Sequence, residues 1–102
     1  MKQGHLKIAR HKILITGRVK GVGFRYHVLQ LAERYRLSGF VANCSEGVQI
    51  EVEGAGDNLD LFLQVIRSNP PLYSHVAGVK VSSISLKGEK KFKVLPDIES
   101  CA

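Results

Sequence analysis

The chain has 102 residues, enough for one domain with a single core, and its 44% hydrophobic and 24% charged residues are typical of a globular protein. Lys and Arg exceed Asp and Glu by 15 − 9 = 6, which favours anionic partners such as phosphates, nucleic acids or acidic surfaces. No apolar run approaches the roughly 20 residues of a membrane span, and residues 1–12 lack the apolar stretch of a secretory signal, so we expect a cytoplasmic protein without a membrane partner.

Hydrophobic periodicity divides the chain into short elements. Apolar residues alternate with polar ones where strands are predicted and recur at helical spacing where helices are predicted. In chain order, the patterns predict a basic tail over 1–10, a strand over 11–16, a helix over 24–37, a short strand over 40–42, a turn over 43–47, a strand over 48–53, a helix from 57 or 58 to 69, a strand over 76–86 and a last strand over 92–94.

Local chemistry gives further expectations for these elements. Ser38-Gly39 is expected to end the first helix, with the glycine in a left-handed cap. Asp57 or Asn58 is expected to cap the second helix. Strict alternation over 48–53 predicts a hairpin strand with one face in solvent.

The predicted order is β-α-β-β-α-β with an extra terminal strand. Two helices of about 13 residues each need an apolar partner, and one antiparallel sheet with both helices on a single face provides it. This is an α+β fold, the ferredoxin-like split β-α-β sandwich. We expect a domain over 11–95, flanked by a flexible basic tail over 1–10 and a C-terminal tail over 96–102.

A glycine-rich stretch over 17–25 (GRVKGVGFR) lies between the first strand and the first helix. Such a turn aims backbone N–H groups and the positive end of the helix dipole at one place, and Arg25 adds a planar fork of donors suited to phosphate oxygens. An oxyanion or phosphoryl cradle and an ordinary strand–helix turn both fit this stretch. A Walker A loop is excluded because its Gly-x4-Gly-Lys-Ser/Thr pattern is absent, and Tyr26 stands where a dinucleotide fingerprint needs its third glycine.

Asn43 is a second candidate because it ends a predicted strand just before a tight turn. In a split β-α-β unit, the first strand–helix loop and the connection between the two middle strands can approach one another. The side-chain amide of Asn43 could hold a water in line with a bound phosphorus, or Asn43 could be a turn residue only. His27, one turn into the first helix, is a weaker candidate for acid–base chemistry because it falls on the polar helix face.

Residues 17–25 and 39–47 (GFVANCSEG) resemble the two signatures of the acylphosphatase family at that family's separation. The resemblance extends from about His11 to Val94. It implies a ferredoxin-like fold and hydrolysis of acyl phosphates to a carboxylate and inorganic phosphate, without a metal, a cofactor or a covalent phosphoenzyme. It also implies a small-molecule substrate, and we expect the chain to act as a monomer.

The resemblance assigns roles to residues that match the signatures. Arg25 matches the phosphate-binding arginine, and Asn43 matches the asparagine that positions the attacking water. The matching phosphate loop consists of Val19, Lys20, Gly21, Val22, Gly23 and Phe24.

The chain departs from the family pattern at three places. Lys20 replaces a usual glutamine, which should add charge without removing a backbone donor. Ala42 stands where a basic residue is common, which removes one charge at the rim of the site. Val48 follows Gly47 directly, where one residue usually intervenes, so the hairpin turn is expected to be shorter.

The two cysteines, Cys44 and Cys101, are too few for a disulfide framework or a zinc site. We expect two free thiols in a reducing cytosol, although pairing is sterically possible. A nucleophilic Cys44 would need an activating base that the sequence does not reveal.

Two other functions are considered beside the enzyme. The fold and the basic charge also suit an anion-binding or RNA-binding module, but the predicted strand centres lack the aromatic pair on which such modules stack bases. The other is a regulatory or carbamoyl-phosphate-handling domain of a larger system. We therefore expect no obligate nucleic-acid partner and favour the enzyme.

Overall fold

The computed structural model describes residues 7–101. Its elements are β1 (Ile8–Arg18), α1 (Phe24–Arg34), β2 (Ser38–Cys44), β3 (Gly47–Ala55), α2 (Gly56–Ser68), β4 (His75–Ile84) and β5 (Phe92–Val94). The strands form one sheet in the order β4-β1-β3-β2-β5. Within residues 7–101, neither helix combines the length and apolar character needed to cross a bilayer.

Both helices pack on one face of the sheet, as predicted. Ile13 pairs with Ile50 and Ile15 with Val48 across β1 and β3, so their side chains point to the same face. The helices cover this face with residues spaced three or four apart. The fully buried helix residues are Phe24, Val28 and Ala32 of α1 and Leu59, Phe62 and Ile66 of α2. The predicted α+β arrangement is confirmed.

The sheet is mixed rather than wholly antiparallel, because β5 runs parallel to β2. The other three pairings are antiparallel, with Arg10 opposite Ile84 in β4 and Glu53 in β3. Ser38 of β2 also lies opposite Glu53. The C-terminal end of β4 and the N-terminal end of β2 therefore lie at the same end of the sheet. Residues 85–91 cross at this end, so the following strand has to run in the direction of β2.

The predicted solvent-exposed face of β3 is buried instead. Gln49, Glu51 and Glu53 are only 4%, 8% and 7% exposed. The segment between β4 and β5 covers part of this face, and the backbone N–H groups of Lys87 and Gly88 donate to the carboxylate of Glu53 at 2.8 and 3.0 Å. Alternation along β3 identified the face that packs on the helices, but not this second cover.

The predicted N-terminal tail is too long. β1 begins at Ile8, and Arg10 is 1% exposed. Its guanidinium donates to Glu51 at 2.8 Å and to Glu53 at 3.1 Å, and it contacts Glu89 at 3.0 Å. A strand with such a buried arginine is part of the domain. Residues 1–6 of the predicted tail lie outside the described residues.

The helix ends also differ from the sequence-based expectations. The α1 helix ends at Arg34, and the left-handed residue that follows it is Arg36, with φ of 57°, while Gly39 lies within β2. The Leu37 N–H donates to the Ala32 carbonyl at 2.8 Å, which closes the helix end. No side chain caps α2 among the described residues, and the Asp57 carboxylate accepts only from the adjacent Asn58 N–H.

Candidate active site

The loop between β1 and α1 and the end of β2 meet at one end of the sheet. They enclose a small cavity of about 110 Å³. Its lining combines the backbone-rich loop with two of the predicted polar side chains. The lining residues are Val19, Gly21, Gly23, Phe24, Arg25, Tyr26 and Asn43.

Two glycines give the loop its shape. Gly21 and Gly23 have φ of 75° and 79°, the left-handed region that other residues rarely adopt. A Cβ at either position would meet no atom within 4 Å, so glycine is favoured there by backbone conformation rather than by space. This conformation turns the chain directly from β1 into the first turn of α1.

The start of α1 is open to an anion. Gly23 is the N-cap residue, no side chain of the described residues caps the helix, and the first turn carries no acidic residue. The first intrahelical bond runs from His27 N–H to the Gly23 carbonyl at 3.1 Å. The preceding N–H groups therefore have no helical acceptor, and the helix dipole makes this end favourable for negative charge.

Arg25 lies in this first turn and lines the cavity. Its side chain is 29% exposed. One guanidinium nitrogen, Nη1, donates to the Leu95 carbonyl at 3.0 Å and lies 3.4 Å from a carboxylate oxygen of Asp97. Since a guanidinium carries five N–H donors, these contacts leave donors of Arg25 for a bound anion.

Asn43 is a strand residue rather than a turn residue. It pairs with Val48 across β2 and β3, and the turn is shortened to Ser45 and Glu46. Asn43 is 9% exposed, and its Nδ2 donates to the Asp97 carboxylate at 3.3 Å. Asn43 and Arg25 line the same cavity. With the two-residue turn, Asn43 is paired within β2 and lies beside the loop.

A family model described as acylphosphatase matches residues 11–94. The chain belongs to the acylphosphatase family. Among curated relatives, the acylphosphatase of Bacillus licheniformis is 40% identical over 87 residues, which cover 83% of this chain and 96% of that protein. This agrees with the sequence-based expectation and identifies the chain as an acylphosphatase-type enzyme.

Solved structures support the same family. The crystal structure of the acylphosphatase from Bacillus subtilis superposes with a TM-score of 0.81 at 34% identity, over 87% of this chain and 99% of that chain. A crystal structure of full-length HypF in the phosphate- and nucleotide-bound form gives a TM-score of 0.89 at 39% identity, over 91% of this chain but 12% of that chain. The acylphosphatase fold thus also occurs within a much longer protein.

Two residues of the loop predicted for this acylphosphatase do not line the cavity. The Lys20 ammonium turns toward the hairpin and donates to the carbonyls of Cys44 and Ser45 at 2.9 and 3.4 Å. Val22 packs against the hydrophobic core. Lys20 thus ties the loop to the hairpin next to Asn43.

His27 lies outside the cavity lining. Its ring meets the ring of Phe24 edge-on, with centroids 6.1 Å apart, and its Nε2 is buried without a partner among the described residues. The pKa of His27 is lowered, mainly by burial. A hydrogen bond with the Asn69 backbone raises it in part, and the nearby charge of Arg34 lowers it further. Within residues 7–101, no hydrogen bond or ion pair links His27 to Arg25 or Asn43.

Sequence reasoning missed two features of the site. Tyr26 lines the cavity although 64% exposed, and its position directly after Arg25 was the available signal. The C-terminal residues, predicted as a tail, reach the site through Asp97.

The expectation of two free thiols is wrong, because Cys44 and Cys101 form a disulfide with Cα atoms 5.2 Å apart.

No group of three or more His, Cys, Asp or Glu side chains within the described range 7–101 is arranged to hold a metal ion. The polar groups that line the cavity are backbone amides, one guanidinium, one phenol and one carboxamide. This donor set suits an anion, because it offers N–H groups and a positive charge, and the described side chains that line the cavity include no carboxylate, imidazole or thiolate ligand for a metal.

Proposed function

We propose that the cavity binds the phosphoryl group of an acyl phosphate and that Asn43 places the water that attacks it. The supporting observation is that the open loop, Arg25 and Asn43 line one small cavity. Fixed N–H donors of the loop from Val19 to Phe24 and the Arg25 guanidinium would surround the phosphoryl oxygens. Such preorganised donors stabilise the charge that spreads over these oxygens in the transition state.

The proposed reaction needs little help with bond breaking because a carboxylate is a good leaving group. Water oxygen attacks phosphorus in line, the bond between phosphorus and the acyl oxygen breaks, and the carboxylate leaves with the bonding electron pair. An acyl phosphate dianion and water give a carboxylate and H2PO4⁻, so atoms and charge balance without a cofactor. A carboxamide is not a base at neutral pH, so the role of Asn43 is to orient the water.

The direct test is release of phosphate from benzoyl phosphate, a simple aryl acyl phosphate, in the presence and absence of a chelator. We expect equal turnover in both conditions and no turnover of phenyl phosphate, whose phenolate is a poorer leaving group. Loss of turnover on chelation that Mg²⁺ or Zn²⁺ restores would contradict the metal-free reaction.

The role of Asn43 is tested by Asn43→Ala, with Asn58→Ala on α2 as a control that removes the same group far from the cavity. We expect Asn43→Ala to lower kcat and kcat/KM together by about two powers of ten or more. Competitive inhibition by inorganic phosphate should change little, because the phosphate would be held by the loop and Arg25. A folded Asn43→Ala protein with normal kcat would leave Asn43 without a role in positioning water.

A second candidate substrate is carbamoyl phosphate, itself an acyl phosphate. The observation that favours it is the similarity to a protein named carbamoyltransferase HypF, which is 35% identical over 89% of this chain, although the match covers 12% of that protein. Comparing kcat/KM for carbamoyl phosphate and benzoyl phosphate would rank the two substrates.

That the chain is a cytoplasmic monomer stays a prediction, which cell fractionation and sedimentation would check.

A further inference from the structure

The last described residues, 95–101, form a strap across the candidate active site. Three of its residues are attached to β2 or to the turn after it. Leu95 N–H donates to the Val41 carbonyl and Ile98 N–H to the Asn43 carbonyl, both at 2.9 Å. The disulfide joins Cys101 to Cys44, and the Glu46 N–H donates to the Cys101 sulfur at 3.3 Å. The strap is therefore held at both ends.

Asp97 lies between the attachments at Leu95 and Ile98 and contacts the side chains of Arg25 and Asn43. One carboxylate oxygen, Oδ1, accepts from Asn43 Nδ2 at 3.3 Å and lies 3.4 Å from Arg25 Nη1. The side chain of Asp97 is 74% exposed. A negative charge thus lies beside the guanidinium that would bind the phosphoryl group and on the amide that would hold the water.

We propose that the strap is a redox-controlled inhibitor of this site, with Asp97 acting as an internal anion that opposes phosphate binding while the disulfide is closed. This inference rests on the proposed function, since it assigns the same cavity to phosphate. Asp97 accepts a hydrogen bond from Asn43 and pairs with the charge of Arg25, and its own charge repels a dianion nearby. Because the strap is tethered, Asp97 has a high effective concentration at the site.

The disulfide is the attachment that decides whether Asp97 stays. Without the disulfide, the strap keeps its backbone hydrogen bonds at Leu95 and Ile98 and the partly exposed ion pair of Asp97 with Arg25. Each of these contacts is weak in net terms. A dithiol reductant would attack the half-buried Cys101 sulfur rather than the buried Cys44 sulfur. The reductant forms its own disulfide, and Cys44 and Cys101 each gain one hydrogen.

The opposite role for the same contacts makes an opposite prediction. If Asp97 only positioned Arg25 and Asn43, removing its charge would weaken phosphate binding and lower kcat. If it opposes the substrate, removing its charge strengthens phosphate binding. Asp97→Asn distinguishes the two, and Glu99→Gln is its matched control, because Glu99 is an exposed acidic residue of the same strap.

The experiment measures the dissociation constant of inorganic phosphate by calorimetry, together with benzoyl phosphate turnover. Oxidised wild type, wild type reduced with dithiothreitol, Cys101→Ser, Asp97→Asn and Glu99→Gln are compared. We expect phosphate to bind about 10-fold more tightly to the reduced, Cys101→Ser and oxidised Asp97→Asn proteins than to oxidised wild type, within the usual range of coupling between sites. Glu99→Gln should match wild type, and dithiothreitol should not change Cys101→Ser.

The outcomes separate the strap from the proposed function. Equal phosphate affinity in oxidised and reduced wild type, with benzoyl phosphate still hydrolysed, would overturn the strap alone. Weaker binding in Asp97→Asn would also overturn it and make Asp97 a positioning residue. Absence of both turnover and phosphate binding in every form, including reduced protein, would overturn the proposed function and the strap with it.

Discussion

At the end of the sheet where β4 finishes, Arg10 lies buried among three carboxylates, while at the opposite end Arg25 borders a cavity with one carboxylate beside it. The side chain of Arg10 is fully buried and that of Arg25 is 29% exposed. Both arginines are anchored, but only Arg25 faces a space that a small anion could enter.

The Arg10 end is saturated with internal contacts. Burial alone would raise the pKa of Glu51, but hydrogen bonds from Arg10 and Lys87 more than offset it and lower that pKa. The backbone N–H of Lys87 is the largest cause that lowers the pKa of Glu53, ahead of the hydrogen bond from Arg10. Burial would lower the pKa of Arg10, yet its carboxylate partners raise it. The ionised forms of Arg10, Glu51 and Glu53 are therefore stabilised in the fold.

The difference between the two ends lies in where the partners come from. At the Arg10 end, Glu51 and Glu53 of β3 and Glu89 supply the partners of Arg10, so these charges are paired within the fold. At the Arg25 end the loop and the start of α1 leave N–H donors without helical acceptors. The comparison predicts that changes at the first end act on stability and changes at the second act on binding.

The largest expected effect is the loss of stability in Arg10→Ala. Removing the guanidinium leaves Glu51 and Glu53 buried without their main cation, which typically costs about 3–5 kcal/mol. Urea unfolding should show this loss, while Arg67→Ala, an exposed arginine on α2, should stay within about 0.5 kcal/mol of wild type. A stable Arg10→Ala protein would mean that Glu51 and Glu53 do not depend on Arg10 for compensation of their charge.

Arg25→Ala should act on binding instead. A charge-assisted contact to phosphate is worth about 1.5–3 kcal/mol, so phosphate should bind about 10- to 150-fold more weakly. Arg18→Ala removes an equal charge from the end of β1 and serves as the control, because Arg18 does not line the cavity. The measurement is competitive inhibition by phosphate. An unchanged inhibition constant in Arg25→Ala would contradict the proposal that phosphate binds at this end of the sheet.

Gly23→Ala and Gly88→Ala compare the same strain at the two ends. Their φ values are 79° and 70°, and a Cβ at either would meet no atom within 4 Å. Each should cost about 1–2 kcal/mol of stability, since non-glycine residues resist the left-handed conformation. Only Gly23→Ala should also weaken phosphate binding. Equal phosphate binding by both variants would show that the loop conformation is not needed for the site.

The smallest expected effect is the pH dependence of stability at the Arg10 end. The pKa values of Glu51 and Glu53 are lowered in the folded state, so the unfolded chain binds more protons as the pH falls. Their contribution is full above about 4.5, the ordinary value of a glutamate, and disappears as the pH falls through the folded pKa values.

Urea unfolding between about pH 6 and about pH 3 should therefore show a steeper loss for wild type than for Glu53→Gln. The pKa of His27 is also lowered by burial, so protonation of His27 also destabilises the fold as the pH falls. Both proteins keep His27, and the difference between them isolates the glutamate. Parallel curves would show that Glu53 does not contribute to the loss of stability at low pH.

The parts of the fold that follow from local pattern were predictable. Alternation identified Ile13, Ile15 and Ile50 as core residues, helical spacing identified Phe62 and Ile66, and the chain order then gave the layers. The residues of the candidate site were predictable because each of the two motifs is a continuous stretch of sequence. Arg25 lies within the first motif and Asn43 within the second.

The remaining features depend on contacts between distant parts of the chain. Glu51 and Glu53 alternate as a solvent-exposed face would, and only the crossing by 85–91 and the buried Arg10 cover them. Asp97 and Cys101 lie in a segment without hydrophobic periodicity, so nothing local indicates that they return to β2. The cap at Arg36 is a different case, because local hydrogen bonds from the Arg36 and Leu37 N–H groups close the helix end around a left-handed residue that is not glycine.

The pairing along β2 has a consequence for association between copies of the chain. Gly39 N–H donates to the Lys91 carbonyl, and the carbonyls of Val41 and Asn43 accept from Leu95 and Ile98. The three-residue strand β5 and the residues that flank it thus occupy an edge that would otherwise present unpaired backbone groups. Exposed strand edges of this kind are templates for intermolecular sheet formation and aggregation. Residues 91–98 therefore cover the backbone groups of β2, and a protein truncated before Lys91 would expose them.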